Sequence, residues 1–171
     1  MPKFRSLDSA DFQNKRVLLR VDLNAPMENG KLADATRIER IVPTIHEIAD
    51  KGGKVILVHG MDDVSLSPYQ TVDHYRAMVA KMGQDTVDKS LRFYLVPGLG
   101  HGIGSFLLSW DNLSVLDNWV DKGIAPPSTP VAYDSNPLTL GRSRPLCPFP
   151  TWPQYTGTGS INEASSFRCV N

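Results

Sequence analysis

Three short apolar stretches, KRVLLRVDL (15–23), KVILV (54–58) and LRFYLVPG (91–98), alternate with segments of helical spacing, and this alternation constrains the fold most strongly. In the first interval Ile38, Ile41, Ile45 and Ile48 fall on one helical face, and Gly52-Gly53 supplies the stop. Pro43 inside that interval kinks the helix or restarts it as a first-turn proline. In the second, SPYQTVDHYRAMVAKMG (67–83) has Ser67 as N-cap, Pro68 at the first helical position and Gly83 as the stop. A third helix over 112–123 carries Leu113, Leu116, Trp119 and Val120 as its apolar face. Strand and helix thus alternate three times, which predicts an α/β fold: a three-layer fragment built on a parallel sheet with helical crossovers.

Beyond the third helix the texture changes. Eight of the 13 prolines lie between Pro126 and Pro153, among Gly, Ser and Thr. Tyr133, Phe149, Trp152 and Tyr155 make this stretch too aromatic for a solvated linker. It reads as an irregular, Pro-rich C-terminal arm wrapped over the sheet. No internal repeat or low-complexity tract occurs.

At 41% hydrophobic and 21% charged residues, the chain has the composition of a soluble globular protein. Its formal net charge is zero, and no basic stripe with interleaved aromatics occurs, so neither nucleic acid nor a membrane surface is an expected partner. No apolar run reaches transmembrane length, and MPKFRSLDSADFQNKR has no signal-like apolar core, so the expected location is cytoplasmic. The two cysteines, Cys147 and Cys169, lack a second ligand pair, so no metal is expected. They could bridge each other, although a cytosolic setting favours thiols.

The chemistry-bearing stretch is HGMDDVSLSPYQ (59–70): an apolar run ends in a turn with two acids, and a helix starts. His101 stands in a Gly-rich loop after the next strand. A histidine there acts as general base when a buried Asp orients its other ring nitrogen, and Asp63 follows the neighbouring strand. Asp62 competes with Asp63 for that role. In the bland alternative, His101 merely sits in a glycine loop and Asp63 caps the next helix. His46, His59 and His74 read as structural or exposed. There is no Gly-x-Ser-x-Gly, and Ser65, Ser67 and Ser105, the serines nearest these motifs, sit on no strand–turn–helix elbow. No Gly-rich loop for nucleotide phosphates is present, and no cofactor is expected.

Two resemblances meet at the KVIL strand. RVDLNAPMENGKLADATRIERIVPTIHEIADKGGKVIL resembles the N-terminus of bacterial phosphoglycerate kinase, over about residues 1–57. The resemblance implies phosphoglycerate-binding roles for Asp22, Asn24 and Arg37. The chain departs from the kinases after that strand: they continue into His-x-Gly-Arg-Pro, whereas here His59 precedes Gly60, Met61 and Asp62. The nucleotide-binding domain and later arginines are also missing, so no phosphoryl transfer is expected.

From residue 54 onward the chain resembles the C-terminal part of the tannase and feruloyl esterase family. The matches are HGMDDVSLSPYQTVDHYRAMVAKMG, RFYLVPGLGH, LDNWVDKGIAP, RPLCPFP and SFRC, in that order. The resemblance implies an α/β-hydrolase fold with a Ser-Asp-His triad, in which Asp63 and His101 match the Asp and His. It also implies a Cys147–Cys169 bridge. Gly102 departs from the family, which has a Cys there tied to the serine elbow. The family's elbow and its metal-bearing lid have no counterpart in the matched segments. The organisation that follows is a kinase-like βαβ segment (1–57), a hydrolase segment (58–123) and the Pro-rich arm (124–171). The function implied is carboxylic ester hydrolysis, with a small aryl or phenolic ester as partner. The alternatives are a non-catalytic fusion or binding module, and a residual phosphoglycerate-binding fragment. A homo-oligomer in which a neighbouring subunit completes the site is compatible with either.

Overall fold

The computed structural model describes residues 51–171 together with Met27–Glu28, Lys31–Leu32, Glu47, Ala49 and Asp50. The strand expected over 15–23, most of the first expected helix, and Asp22, Asn24 and Arg37 lie outside the described residues. Strands β1 (Met27–Glu28) and β2 (Lys31–Leu32) form a short antiparallel pair. Glu47, Ala49 and Asp50 are helical, and the chain leaves that helix at Gly52, whose N–H bonds the Ala49 carbonyl.

The centre is a parallel pair, β3 (Val55–Gly60) and β4 (Leu91–Val96), with Val55 opposite Leu91 and Gly60 opposite Val96. Two helices make the crossover: α1 (Pro68–Met82) and α2 (Gln84–Ser90). Ser67 takes the N-cap position of α1, but its side chain makes no capping bond, and Pro68 opens the first turn. Gly83 ends α1 and leads straight into α2. The sequence gives α2 little periodicity, since Val87 is its only large apolar residue, and Val87 is buried.

Alternation along the two strands sends side chains to two different cores. On one face Val55, Leu57, Leu91, Phe93 and Leu95 meet Val72, Tyr75, Met78 and Val87 from the helices. The rings of Tyr75, Phe93 and Phe149 lie 5.2–5.6 Å apart, in tilted and edge-on pairs that aromatic quadrupoles favour. On the other face Ile56, Val58, Tyr94 and Val96 meet Phe106, Trp110, Ala132 and Leu146.

The second face is covered by short strands as well as by a helix, and the Pro-rich arm carries regular pairing that its sequence does not announce. Strands β5 (Leu108–Ser109), β6 (Val131–Asp134) and β7 (Ser143–Pro145) form an antiparallel sheet in the order β5–β6–β7, and β6 turns Ala132 and Asp134 inward. Strands β8 (Trp152–Tyr155) and β9 (Phe167–Val170) pair antiparallel, from Trp152 opposite Val170 to Tyr155 opposite Phe167. Prolines hid these strands, because a proline removes a ladder donor and is confined to strand ends and edges. Helix α3 (Asn112–Lys122) buries Trp119 beneath the cations of Lys54 and Arg92, 5.6 and 5.1 Å from its ring, while Leu113 is exposed. The apolar stripe read from the sequence is therefore only partly used.

Asp134 ties the arm to the segment that leads into β5. Its carboxylate accepts from the N–H groups of Leu107 and Asn136, from the Thr139 hydroxyl and from Arg142. Burial pushes its pKa up, but these bonds outweigh burial and hold it well below the ordinary carboxylate range. Cys147 and Cys169 form a disulfide, Cα–Cα 5.5 Å, which ties β9 to the segment following β7. No helix among the described residues is long and apolar enough to cross a membrane.

Closing a loop of this size is worth about 3 kcal/mol in the chain-entropy model. The variant Cys147→Ser/Cys169→Ser is expected to lose about that much in denaturant unfolding, and wild type in dithiothreitol to match it. Equal midpoints for wild type with and without reductant would show that the bridge does not fasten the arm.

Candidate active site

The parallel ladder does not stop at the strand ends. Met61 N–H bonds the Val96 carbonyl at 2.8 Å, and Asp62 N–H bonds the Leu99 carbonyl at 3.0 Å. These two bonds lash the loop after β3 to the loop after β4. Gly60 permits the approach: a Cβ there would sit 2.1 Å from the Leu99 carbonyl oxygen. The second loop closes on itself through the Leu99–Gly104 bridge, Gly100 N–H to the Ile103 carbonyl (2.7 Å) and Phe106 N–H to the Gly98 carbonyl (3.0 Å). His101 rides at its tip, before Gly102, which adopts φ +74° with open space where a Cβ would stand. A cysteine at that position would be strained by this backbone.

Asp63 and His101 meet here. His101 Nδ1 lies 3.0 Å from Asp63 Oδ2. The other carboxylate oxygen accepts from Ser65 N–H (2.9 Å) and Leu66 N–H (2.8 Å). One oxygen thus closes the turn ahead of α1, whose N-cap position belongs to Ser67, and the other meets His101. Asp63 is 7% exposed and His101 57%. Asp62 is exposed, and its only bond at this junction is from its backbone. Of the two acids, Asp63 is thus the one beside His101. Burial pushes the Asp63 carboxyl pKa up; the bonds from Leu66, His101 and Ser65, with the charge of His101, outweigh it and hold the net value below the usual one.

His59 belongs to the same cluster, which sequence reasoning missed. Its Nδ1 lies 2.7 Å from the Thr71 hydroxyl and its Nε2 3.1 Å from the Leu66 carbonyl. A carbonyl only accepts, so Nε2 carries the proton and Nδ1 accepts from Thr71. That N–H also lies 3.6 Å from Asp63 Oδ2 and adds positive potential beside it. The signal was available: His59 stands four residues before Asp63, at the end of the apolar run that forms β3.

With Nδ1–H given to Asp63, the lone pair of His101 is left on Nε2. Val58, Leu66, Leu99, Gly100 and His101 border an open recess of about 470 Å3. A base so oriented can take a proton from water or a hydroxyl while Asp63 stabilises the imidazolium that forms. Of the nearby serines, Ser65 serves Asp63 through its backbone, Ser67 begins α1, and Ser105 lines a different cavity. His74 is buried in α1 with neither ring nitrogen bonded, and burial lowers its pKa. No cluster of metal-ligating side chains occurs among the described residues.

The family model described as tannase and feruloyl esterase matches residues 7–170. An uncharacterized esterase of Agrobacterium fabrum is 46% identical over 162 residues, covering 90% of this chain and 28% of that protein. A phosphoglycerate kinase of Bradyrhizobium diazoefficiens is 71% identical over 56 residues, 33% of this chain and 14% of the kinase. The crystal structure of feruloyl esterase B from Aspergillus oryzae superposes with a TM-score of 0.60 at 27% identity, over 71% of this chain and 28% of that one. The chain therefore spans little more than a quarter of the esterases it matches. The family match begins at residue 7, so it overlaps the kinase-like segment.

A carboxyl whose folded pKa lies below its unfolded value stabilises the fold above the unfolded value, and that contribution fades as pH falls through the folded one. Asp63→Asn is accordingly expected to be less stable than wild type at neutral pH, with the gap closing below about pH 3.9. Denaturant midpoints at both pH values measure this; a gap that is constant or widens in acid would contradict the assigned shift.

Proposed function

The chain belongs to the tannase and feruloyl esterase family, and on that premise we propose that it hydrolyses small carboxylic esters, aryl esters above all, through His101 and Asp63. The observation that carries this reading is the 3.0 Å contact between His101 Nδ1 and a buried carboxylate, on a histidine that lines an open recess. In this reading the segment 58–123 supplies the pair, the arm 124–171 covers the far face of the sheet, and the segment 1–57 is kinase-like without kinase chemistry.

The sequence holds no Gly-x-Ser-x-Gly. The base therefore acts on water: Nε2 removes a proton as the water oxygen bonds the ester carbonyl carbon, and Asp63 balances the imidazolium. The tetrahedral intermediate collapses, the C–O bond to the alcohol breaks, and the proton passes from Nε2 to the departing oxygen. General-base assistance of this kind is worth ~10²–10⁴-fold, well short of a complete triad acting with an oxyanion hole.

Hydrolysis of p-nitrophenyl acetate by the full chain tests the proposal. Wild type is expected to be slow but above background, with His101→Ala losing ~10²-fold or more and Asp63→Asn a comparable factor. Ser65→Ala, Ser67→Ala and Ser105→Ala are expected to be indifferent. Fast turnover abolished by one of these serine changes would show that a nucleophile is present. Activity indifferent to both His101 and Asp63 would remove the site.

A further inference from the structure

The loop that carries His101 has two legs, and different parts of the chain hold them. The first leg, from Val96 to Leu99, is fastened to the loop after β3 by the N–H groups of Met61 and Asp62. The second leg, from Gly104 to Leu107, is gripped by the connection between β6 and β7. There Arg142 donates from Nη2 to the Ser105 carbonyl, and Asn136 donates from Nδ2 to the Gly104 carbonyl at 3.4 Å. Leu107 N–H donates to the Asp134 carboxylate (2.9 Å), and the Leu107 carbonyl accepts from the N–H (2.8 Å) and the hydroxyl (3.1 Å) of Ser135.

The pairing of β5 with β6 accounts for bonds at Leu107 and beyond. It does not account for side-chain donors that reach past the end of the ladder to Ser105 and Gly104. Arg142 suits that reach. Its Nε lies 2.9 Å from Asp134 Oδ2 while its Nη2 meets the loop, and the planar guanidinium fixes one direction by the other. Asp134 is a firm seat, because it is buried and also holds Leu107, Asn136 and Thr139. The tip between the legs has weaker ties: the Gly100 and Gly102 N–H groups bond only to carbonyls of the tip itself, Ile103 and Gly100. His101 is exposed apart from its bond to Asp63, so the legs decide where its ring stands.

We propose that Arg142 and Asn136 are positioning residues for His101. Through the Ser105 and Gly104 carbonyls they hold the second leg of the loop where Nδ1 meets Asp63. The arm thereby contributes to the site without touching it. That the loop is held in this way stands by itself; that holding it serves hydrolysis rests on the function proposed above. Displacements of about 1 Å in reacting groups cost ~10²-fold in rate, so a hold of this kind bears on turnover.

Amide hydrogen exchange in the full chain tests the hold without any substrate. Arg142→Lys keeps a charge beside Asp134 but loses the fork, and Asn136→Ala removes the second donor. The Gly100 and Phe106 amides, whose bonds close the loop, are expected to exchange about tenfold faster in Arg142→Lys and several-fold faster in Asn136→Ala. Amides of the β3–β4 ladder are expected to keep their wild-type rates. Val87→Ala, in the helix-facing core, is the control: lower overall stability speeds loop and ladder amides alike. Asn136→Ala decides the matter if Arg142→Lys does not fold. In both variants the ratio of Nδ1–H to Nε2–H His101, read from 15N shifts, is expected to fall, and kcat for p-nitrophenyl acetate to fall several-fold with KM unchanged. Loop exchange at the wild-type rate in a folded variant, or a rise matched by the ladder amides, would overturn the hold. Faster loop exchange with an unchanged tautomer ratio would overturn the positioning of His101. A wild type that cleaves no ester yet shows both shifts would remove the hydrolytic reading and leave the hold standing.

Discussion

The parallel register of β3 and β4 is the constraint on which the rest depends. Gly60 opposite Val96 fixes where both strands end, and the bonds from Met61 and Asp62 carry the pairing on into the loops. A slip of one residue would turn the two faces over, exchanging Phe93 for Tyr94 in the helix-facing core. It would also part Asp63 from His101, because each is placed by its distance from a strand end rather than by any bond along the chain. The absence of a side chain at Gly60 is the local condition for this join. Core and site are thus set by one piece of backbone geometry.

Two buried carboxylates show how the molecule handles charge away from water. Asp63 and Asp134 are each wrapped in backbone N–H donors on one oxygen and paired with a basic side chain on the other. The outcomes differ because the partners differ. Asp134 meets a permanently charged arginine, and the result is an anchor for the arm. Asp63 meets an exposed imidazole whose protonation can change, and the result is a group that can take part in proton transfer.

Much of the central unit was legible in the sequence because its signals are local. KVILV and LRFYLV are apolar, β-rich runs, and Ser67, Pro68 and Gly83 mark the ends of α1 by side-chain chemistry. Asp63 and His101 were legible as residues that follow neighbouring strands, and the quoted family motifs sharpened the choice between Asp62 and Asp63. What was illegible depends on tertiary contact. QDTVDKS has one apolar side chain, so α2 becomes visible only once Val87 is seen in the core. The strands of the arm are short and interrupted by proline, and they exist because the second face of β3 and β4 needs a cover. Leu113 looked inward by period and faces outward, since α3 docks chiefly through Trp119.

The central claim is that Asp63 fixes the ring of His101 with its proton on Nδ1 and its lone pair on Nε2. Imidazole 15N chemical shifts, read through long-range proton–nitrogen correlation at a pH where the ring is neutral, report that tautomer directly. The wild type is expected to show His101 protonated at Nδ1, and Asp63→Asn to shift the population towards the Nε2–H form that free imidazole side chains prefer. A wild-type His101 already in the Nε2–H form, or a spectrum unchanged by Asp63→Asn, would contradict the account.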